Sequence, residues 1–235
     1  MEKIQQLKDS LLTGEVLLFD KPYKWTSFDV ISKIKSLLRY KLDIKKIKIG
    51  HAGTLDPLAT GLLIICTGKK TKTIQEFQNM EKEYEGTFHL GATTPSFDLE
   101  TQLDKEYTTE HITEKMIEKA VEKLTGKLEQ LPPLYSAKKI NGKRAYLYAR
   151  KGKSDTPIEP NTIYISKFQI KKTALPDIDF NVVCSKGTYI RSLARDFGFA
   201  LGSGAYLKNL RRTRIGEYQI NNAISIEEFE KMITQ

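Results

Sequence analysis

The chain has 235 residues, with 38 lysines and arginines against 29 aspartates and glutamates, for a formal net charge of +9. Apolar residues make up 40%, charged residues 29%, and the mean hydropathy is −0.41. That mixture argues against disorder and against a membrane protein, and the length suffices for a core without disulfide or metal staples.

The apolar run Val16-Leu17-Leu18-Phe19 predicts a short buried strand, stopped by Lys21-Pro22. Thr26 or Ser27 can cap the next helix, whose apolar face is Ile31, Ile34, Leu37 and Leu38. A Gly- and Pro-rich loop is predicted over 50–61, followed by the longest apolar run, 62–66, far short of the ~20 residues that span a bilayer. Residues 82–92 read as a strand, and 110–124 as an amphipathic helix stopped by Gly126. Pro132-Pro133 then opens a segment with seven basic residues between Lys138 and Lys153 and no acid, interleaved with Tyr135, Tyr146 and Tyr148. Strands follow at 163–170 and 180–185, then a helix carrying Ile190, Leu193, Ala194 and Phe197. A second basic cluster, Lys208, Arg211, Arg212 and Arg214, precedes a short helix with a Ser225/Glu228 capping box. Strands and helices mix without a βαβ rhythm, which predicts an α+β fold with a mixed, largely antiparallel central sheet flanked by helices. No linker divides the chain, so one domain over 1–235 is expected, with a basic loop inserted at 132–156.

Several chemistries are excluded. Cys66 and Cys184 are isolated and no paired histidines accompany them, which leaves no zinc site and predicts buried thiols in a reducing compartment. Thr67-Gly68-Lys69-Lys70-Thr71 lacks the earlier glycine of a phosphate-binding loop, since position 63 is leucine. The N-terminus lacks signal-peptide order, so a cytoplasmic chain is expected. The two basic clusters have the composition of surfaces that face RNA, with cations for phosphates and tyrosines for stacking. In the segment GHAGTLDPLATG (50–61), an aspartate before a proline and among glycines can be presented to a ligand on a tight loop.

That segment, GHAGTLDPLATGLL, resembles the catalytic motif of pseudouridine synthases of the TruB type. GEVLLFDKPYKWTS, KEYEGTFHLGATTPSFD, PPLYSAKKINGKRAY, SKGTYIRSLARDFG and YLKNLRRTRIG match the same family in the same order, from about Gly14 to about Gly216. The resemblance implies the pseudouridine synthase fold and isomerisation of uridine 55 in the T-loop of tRNA, with no metal or organic cofactor. It makes Asp56 the essential carboxylate, Tyr84 the ring stacked on the target base, and Tyr189 a second active-site aromatic. Arg191 becomes the arginine paired with that aspartate, Leu210 a wall of the uracil pocket, and His51 a residue that holds the flipped-out RNA. Lys21 and Pro22 match a motif that buttresses the catalytic loop. Lys138, Lys139, Lys143 and Arg144, within 132–156, would form a thumb clamping the T-arm, joined by Arg211 and Arg212.

The chemistry is consistent with this. Converting uridine to pseudouridine breaks the C1′–N1 bond, turns the uracil and rejoins it at C5, so no group donor or redox cofactor is required. An ionised carboxylate can serve as nucleophile or remove a sugar proton, and the sequence leaves both routes open, as it does the base that takes the C5 proton. A neighbouring cation favours the ionised carboxylate, and the target base must be extruded into a pocket. About 19 residues follow Gly216, which predicts a compact member without the PUA-type RNA-binding domain many relatives carry. A monomer acting on tRNA, with no membrane and no obligatory protein partner, is expected. The rival readings are a guide-RNA-dependent synthase, which normally needs that domain, and a tRNA-binding or folding protein in which catalysis is secondary.

Overall fold

A computed structural model describes residues 2–136, 138–140, 142–149 and 157–234. In chain order its elements begin with α1 (Glu2–Thr13), β1 (Val16–Lys21), α2 (Ser27–Leu42), β2 (Ile49–His51) and β3 (Ala59–Thr67). A 3-10 turn (Gly68–Thr73) leads to α3 (Ile74–Asn79), β4 (Lys82–Leu90), β5 (Ala92–Thr93), β6 (Lys105–Glu106), α4 (Glu114–Lys123) and β7 (Gly126–Gln130). Then come β8 (Lys139–Ile140), β9 (Lys143–Arg144), α5 (Ala145–Ala149), β10 (Asn161–Ala174), β11 (Asp177–Cys184) and α6 (Ile190–Ala200). The chain ends in β12 (Ala205–Ile215), β13 (Tyr218–Gln219) and α7 (Ile226–Met232). The fold is α+β, as the irregular mixing of strands and helices predicts. Contacts group the chain into two compact units, Met1–Glu83 with Arg211–Gln235, and Tyr84–Leu210. The chain passes from one to the other within β4 and returns within β12.

In the first unit the strand order is β1-β3-β12, with β2 beside β3 and β13 beside β12. β1 and β2 both run antiparallel to β3. The unbroken apolar run in β3 follows from burial on both faces. Leu63 and Ile65 face a cluster with Phe19, with Ile34 and Leu38 of α2, and with Phe229 of α7. Leu62, Ile64 and Cys66 face another with Phe77 and Ile215. Alternate residues of one strand thus close two cores. Thr26, not Ser27, caps α2: its hydroxyl accepts the Asp29 N–H at 3.0 Å while the Asp29 carboxylate accepts the Thr26 N–H at 2.8 Å. Ser27 is thereby left for another task.

The second unit orders its strands β12-β4-β11-β10-β7. Its core is aromatic: Phe88 of β4 stacks on Phe180 of β11 at 4.0 Å between ring centres, and Phe168 of β10 and Phe197 of α6 close around them. α6 buries Ile190, Leu193, Ala194 and Phe197, the face its spacing predicts. β12, at 11 residues, stands where the sequence analysis marks only a basic cluster.

Candidate active site

Asp56 lies on the connection between β2 and β3, residues 52–58, in the first unit. Several backbone groups around it are held. The Ala52 N–H donates to the Ile64 carbonyl at 2.9 Å and the Ala59 N–H to the Asp56 carbonyl at 3.1 Å. Leu55 is gripped from both sides by Ser27 Oγ, which accepts its N–H at 2.9 Å and donates to its carbonyl at 3.2 Å. The Pro57 carbonyl accepts the Lys24 N–H at 2.9 Å and Lys21 Nζ at 3.4 Å. Gly53, with φ of +94°, makes a turn that a side chain would strain. Such a loop holds its half-buried carboxylate in place before any ligand arrives, which is the condition for positional and electrostatic catalysis.

Two buried cations underlie the loop. Lys21, fully buried at the end of β1, donates to the carbonyls of Pro22 (2.9 Å), Trp25 (2.5 Å) and Pro57. Burial lowers its pKa to about 8, against the pull of Asp56, which favours the charged form. Arg212, 1% exposed on β12, donates from Nε to the Leu62 carbonyl at 2.8 Å and from Nη2 to the Gly53 carbonyl at 3.1 Å. It therefore fastens the loop to β3 and is no surface cation. His51, at the end of β2, has an Nδ1 that is buried without a hydrogen-bond partner. Its pKa is lowered by burial first and by Arg212 second, so the ring is neutral at physiological pH.

The second unit holds the remaining candidates. Tyr84 on β4 and Leu210 on β12, neighbouring strands, are each 9% exposed. Tyr189 is the N-cap residue of α6, and Gln130 at the end of β7 grips its backbone. The Gln130 side chain accepts the Tyr189 N–H at 2.8 Å and donates to its carbonyl at 3.1 Å. Arg191, 4% exposed, donates from Nη1 to the Tyr135 carbonyl at 2.9 Å and to the Ser96 carbonyl at 3.3 Å. Its Nε lies 3.6 Å from the buried Asp98 carboxylate. Gln130 and the loop-fastening roles of Ser27 and Arg212 are absent from the sequence analysis. A serine after a cap, a lone glutamine and an arginine in a basic cluster carry no local signal of such duties.

The basic clusters differ from their appearance in sequence. In 132–156, the described part forms the hairpin β8–β9, with Lys139 opposite Arg144, followed by α5. Lys143 and Arg144 are exposed, whereas Lys138 Nζ is bonded to the Glu159 carbonyl and to Asn161 Oδ1. The side chain of Lys139 and residues 150–156 lie outside the described ones. In the C-terminal cluster the charges are matched. Lys208 pairs with Asp177 at 2.5 Å, Arg211 with Asp20 at 2.6 Å, and Arg214 with Glu81 and Glu83 at 3.0 and 3.2 Å.

This fold is that of a pseudouridine synthase, an isomerase of RNA. A solved H/ACA RNP bound to a substrate RNA containing 2′-deoxyuridine is similar to it, with a TM-score of 0.69 at 25% identity. The match covers 97% of this chain and 55% of that one. Within this class the chain belongs to the TruB family. The model of the TruB family pseudouridylate synthase N-terminal domain matches residues 39–190, and that of the tRNA pseudouridylate synthase B C-terminal domain matches 191–235. A tRNA pseudouridine synthase B of Flavobacterium johnsoniae is 56% identical over 226 residues, which is 96% of this chain and 98% of that protein. One of Phocaeicola vulgatus is 55% identical over 94% of each. No helix among the described residues is long and apolar enough to cross a membrane.

Proposed function

We propose that the protein isomerises uridine 55 in the T-loop of tRNA to pseudouridine, as a cytoplasmic monomer, with Asp56 as the catalytic carboxylate. The observation that carries this reading is the loop 52–58, whose backbone is fastened by Ser27, Lys21 and Arg212 so that one carboxylate is held in place. The relatives named as tRNA pseudouridine synthase B supply the substrate.

In this reading the uridine is extruded from the T-loop and its uracil enters a pocket with Tyr84 against one face and Leu210 as an apolar wall. His51, neutral, holds the opened loop. Asp56 acts on the ribose, either by adding to C1′ or by removing a sugar proton. The C1′–N1 bond breaks with its electron pair moving to the base, the uracil turns, and C5 bonds to C1′ as the Asp56 carboxylate either leaves C1′ with its bonding pair or gives the sugar proton back. The C5 proton leaves and N1 gains one, so the reaction is an isomerisation with no net change in atoms. Arg191 orients Asp56, Tyr189 lines the site, and Lys138, Lys139, Lys143 and Arg144 close the thumb over the T-arm.

The test is incubation with an unmodified tRNA transcript followed by mapping of pseudouridine. Wild type should modify the T-loop uridine. Asp56→Asn should lose at least about a thousandfold in rate with tRNA affinity within about threefold, the pattern of a group that acts in the transition state. Wild type that makes no pseudouridine there sinks the substrate, and Asp56→Asn at full rate sinks the site. A wild type that binds tRNA tightly yet leaves it unmodified would favour a binding or folding protein.

A further inference from the structure

The unmatched positive charge of the first unit is concentrated away from the catalytic loop. Lys35, Arg39, Lys45 and Lys46 line a groove of about 480 Å³ between α2 and the segment before β2. Lys46, Lys48, Lys69 and Lys72 line a second of about 340 Å³ between that segment and the Gly68–Thr73 turn. The grooves share Lys46 and Ile47, so they are continuous. All seven cations are exposed, and the only ion pair among them in the described residues is Lys45 with Asp43, a loose 4.0 Å. Tyr40, 78% exposed, lies in the first groove with the Arg39 guanidinium 5.8 Å from its ring, a stacking face beside the cations.

β3 sets the spacing between this patch and the catalytic loop. Asp56 sits at its start, where its carbonyl accepts the Ala59 N–H. The Gly68–Thr73 turn leaves its other end, tied to the basic segment by the Gly68 N–H on the Lys48 carbonyl at 2.9 Å. From Ala59 to Thr67 an extended strand covers about 26 Å at ~3.3 Å per residue. A duplex at ~3 Å per base pair needs about nine pairs to cross that gap, more than the roughly five of a T-stem alone.

We propose that this surface is a second phosphate-binding site, which holds the backbone of the substrate tRNA beyond the T-arm. The proposal rests on the function proposed above, and its test does not depend on turnover. Wild type and the variant Lys46→Gln/Lys48→Gln/Lys69→Gln/Lys72→Gln are titrated with intact tRNA and with a T-arm hairpin, between 50 and 200 mM salt. Thermal unfolding verifies that the variant, altered only at exposed positions, is folded. For intact tRNA, Kd at 50 mM salt should rise at least about tenfold, and the slope of log K against log salt should flatten by about three. For the hairpin, Kd should stay within about twofold. Unchanged tRNA binding overturns the proposal and leaves the patch to another polyanion, and an equal loss on both RNAs overturns its placement beyond the T-arm. Failure of the functional reading is a separate result, a wild type that forms no pseudouridine.

Discussion

Lys21 performs its task in a single protonation state. Its ammonium has three hydrogens for the carbonyls of Pro22, Trp25 and Pro57, whereas the neutral amine has only two. With a pKa lowered to about 8, it loses one of these three hydrogens at mildly alkaline pH, and one carbonyl around the Asp56 loop loses its donor. The rate on tRNA should therefore fall above about pH 8, and Lys21→Arg, which stays charged, should move that limb upward by more than one unit. A limb that stays in place assigns the titration elsewhere. Stability should move in the opposite direction. Between about pH 8 and 10.5 the unfolded chain binds the extra proton, so this group adds stability as pH rises through that window. The resemblance marks Lys21 as a buttress, and the structure adds the acceptors and the altered pKa. For Arg212 the order is reversed: an arginine among basic neighbours reads as an RNA contact, and only the folded chain shows it bonded to Leu62 and Gly53. Arg212→Met should cost about 2–4 kcal/mol in denaturant unfolding, because the Leu62 and Gly53 carbonyls lose their donor. It should also lower kcat more than it raises KM.

At the level of elements, the start of β3, just after the loop that carries Asp56, depends on close approach to β12. Gly61, with φ of +103°, lies so near β12 that a Cβ would sit 2.3 Å from the Arg212 carbonyl oxygen. Gly61→Ala should thus be among the most damaging single-methyl changes, lowering the urea midpoint by the equivalent of about 3 kcal/mol or more. Ser27→Ala removes both bonds to Leu55 and should cost about 1–2 kcal/mol with a parallel loss of kcat. Helix α2 was legible because it buries a regular apolar face, and β1 and β3 because each contains a continuous apolar run. β12 and β7 were not. β12, AYLKNLRRTRI, breaks any two-residue alternation with adjacent polar residues such as Arg211 and Arg212, and its cations Lys208, Arg211 and Arg214 find their partners on distant segments: Asp177, Asp20, Glu81 and Glu83. β7, GKLEQ, has one fully buried residue, Gln130, whose partner Tyr189 is 59 positions away. Local pattern cannot encode a partner that only the fold supplies.

At the scale of the whole molecule, the net charge of +9 is a poor map of where RNA can be held. Two clusters that look alike in sequence have different electrostatic character in the folded chain. Lys208, Arg211 and Arg214 each face a carboxylate at hydrogen-bonding distance, so a phosphate arriving there would have to displace an existing partner. Lys143 and Arg144 stand exposed on the β8–β9 hairpin. Counterion release depends on cations that neutralise phosphates, and a cation already neutralised by a carboxylate contributes little to it. Two double variants with the same formal charge loss should therefore separate. Lys143→Gln/Arg144→Gln should flatten the salt dependence of tRNA binding by about two in log–log slope. Lys208→Gln/Arg214→Gln should leave that slope within about half a unit while lowering thermal stability, since Asp177, Glu81 and Glu83 each lose an ion-pair partner. Equal slopes for the two variants would mean that the carboxylates release their arginine and lysine to the RNA, and the C-terminal cluster would then return to the RNA-binding surface its sequence suggests.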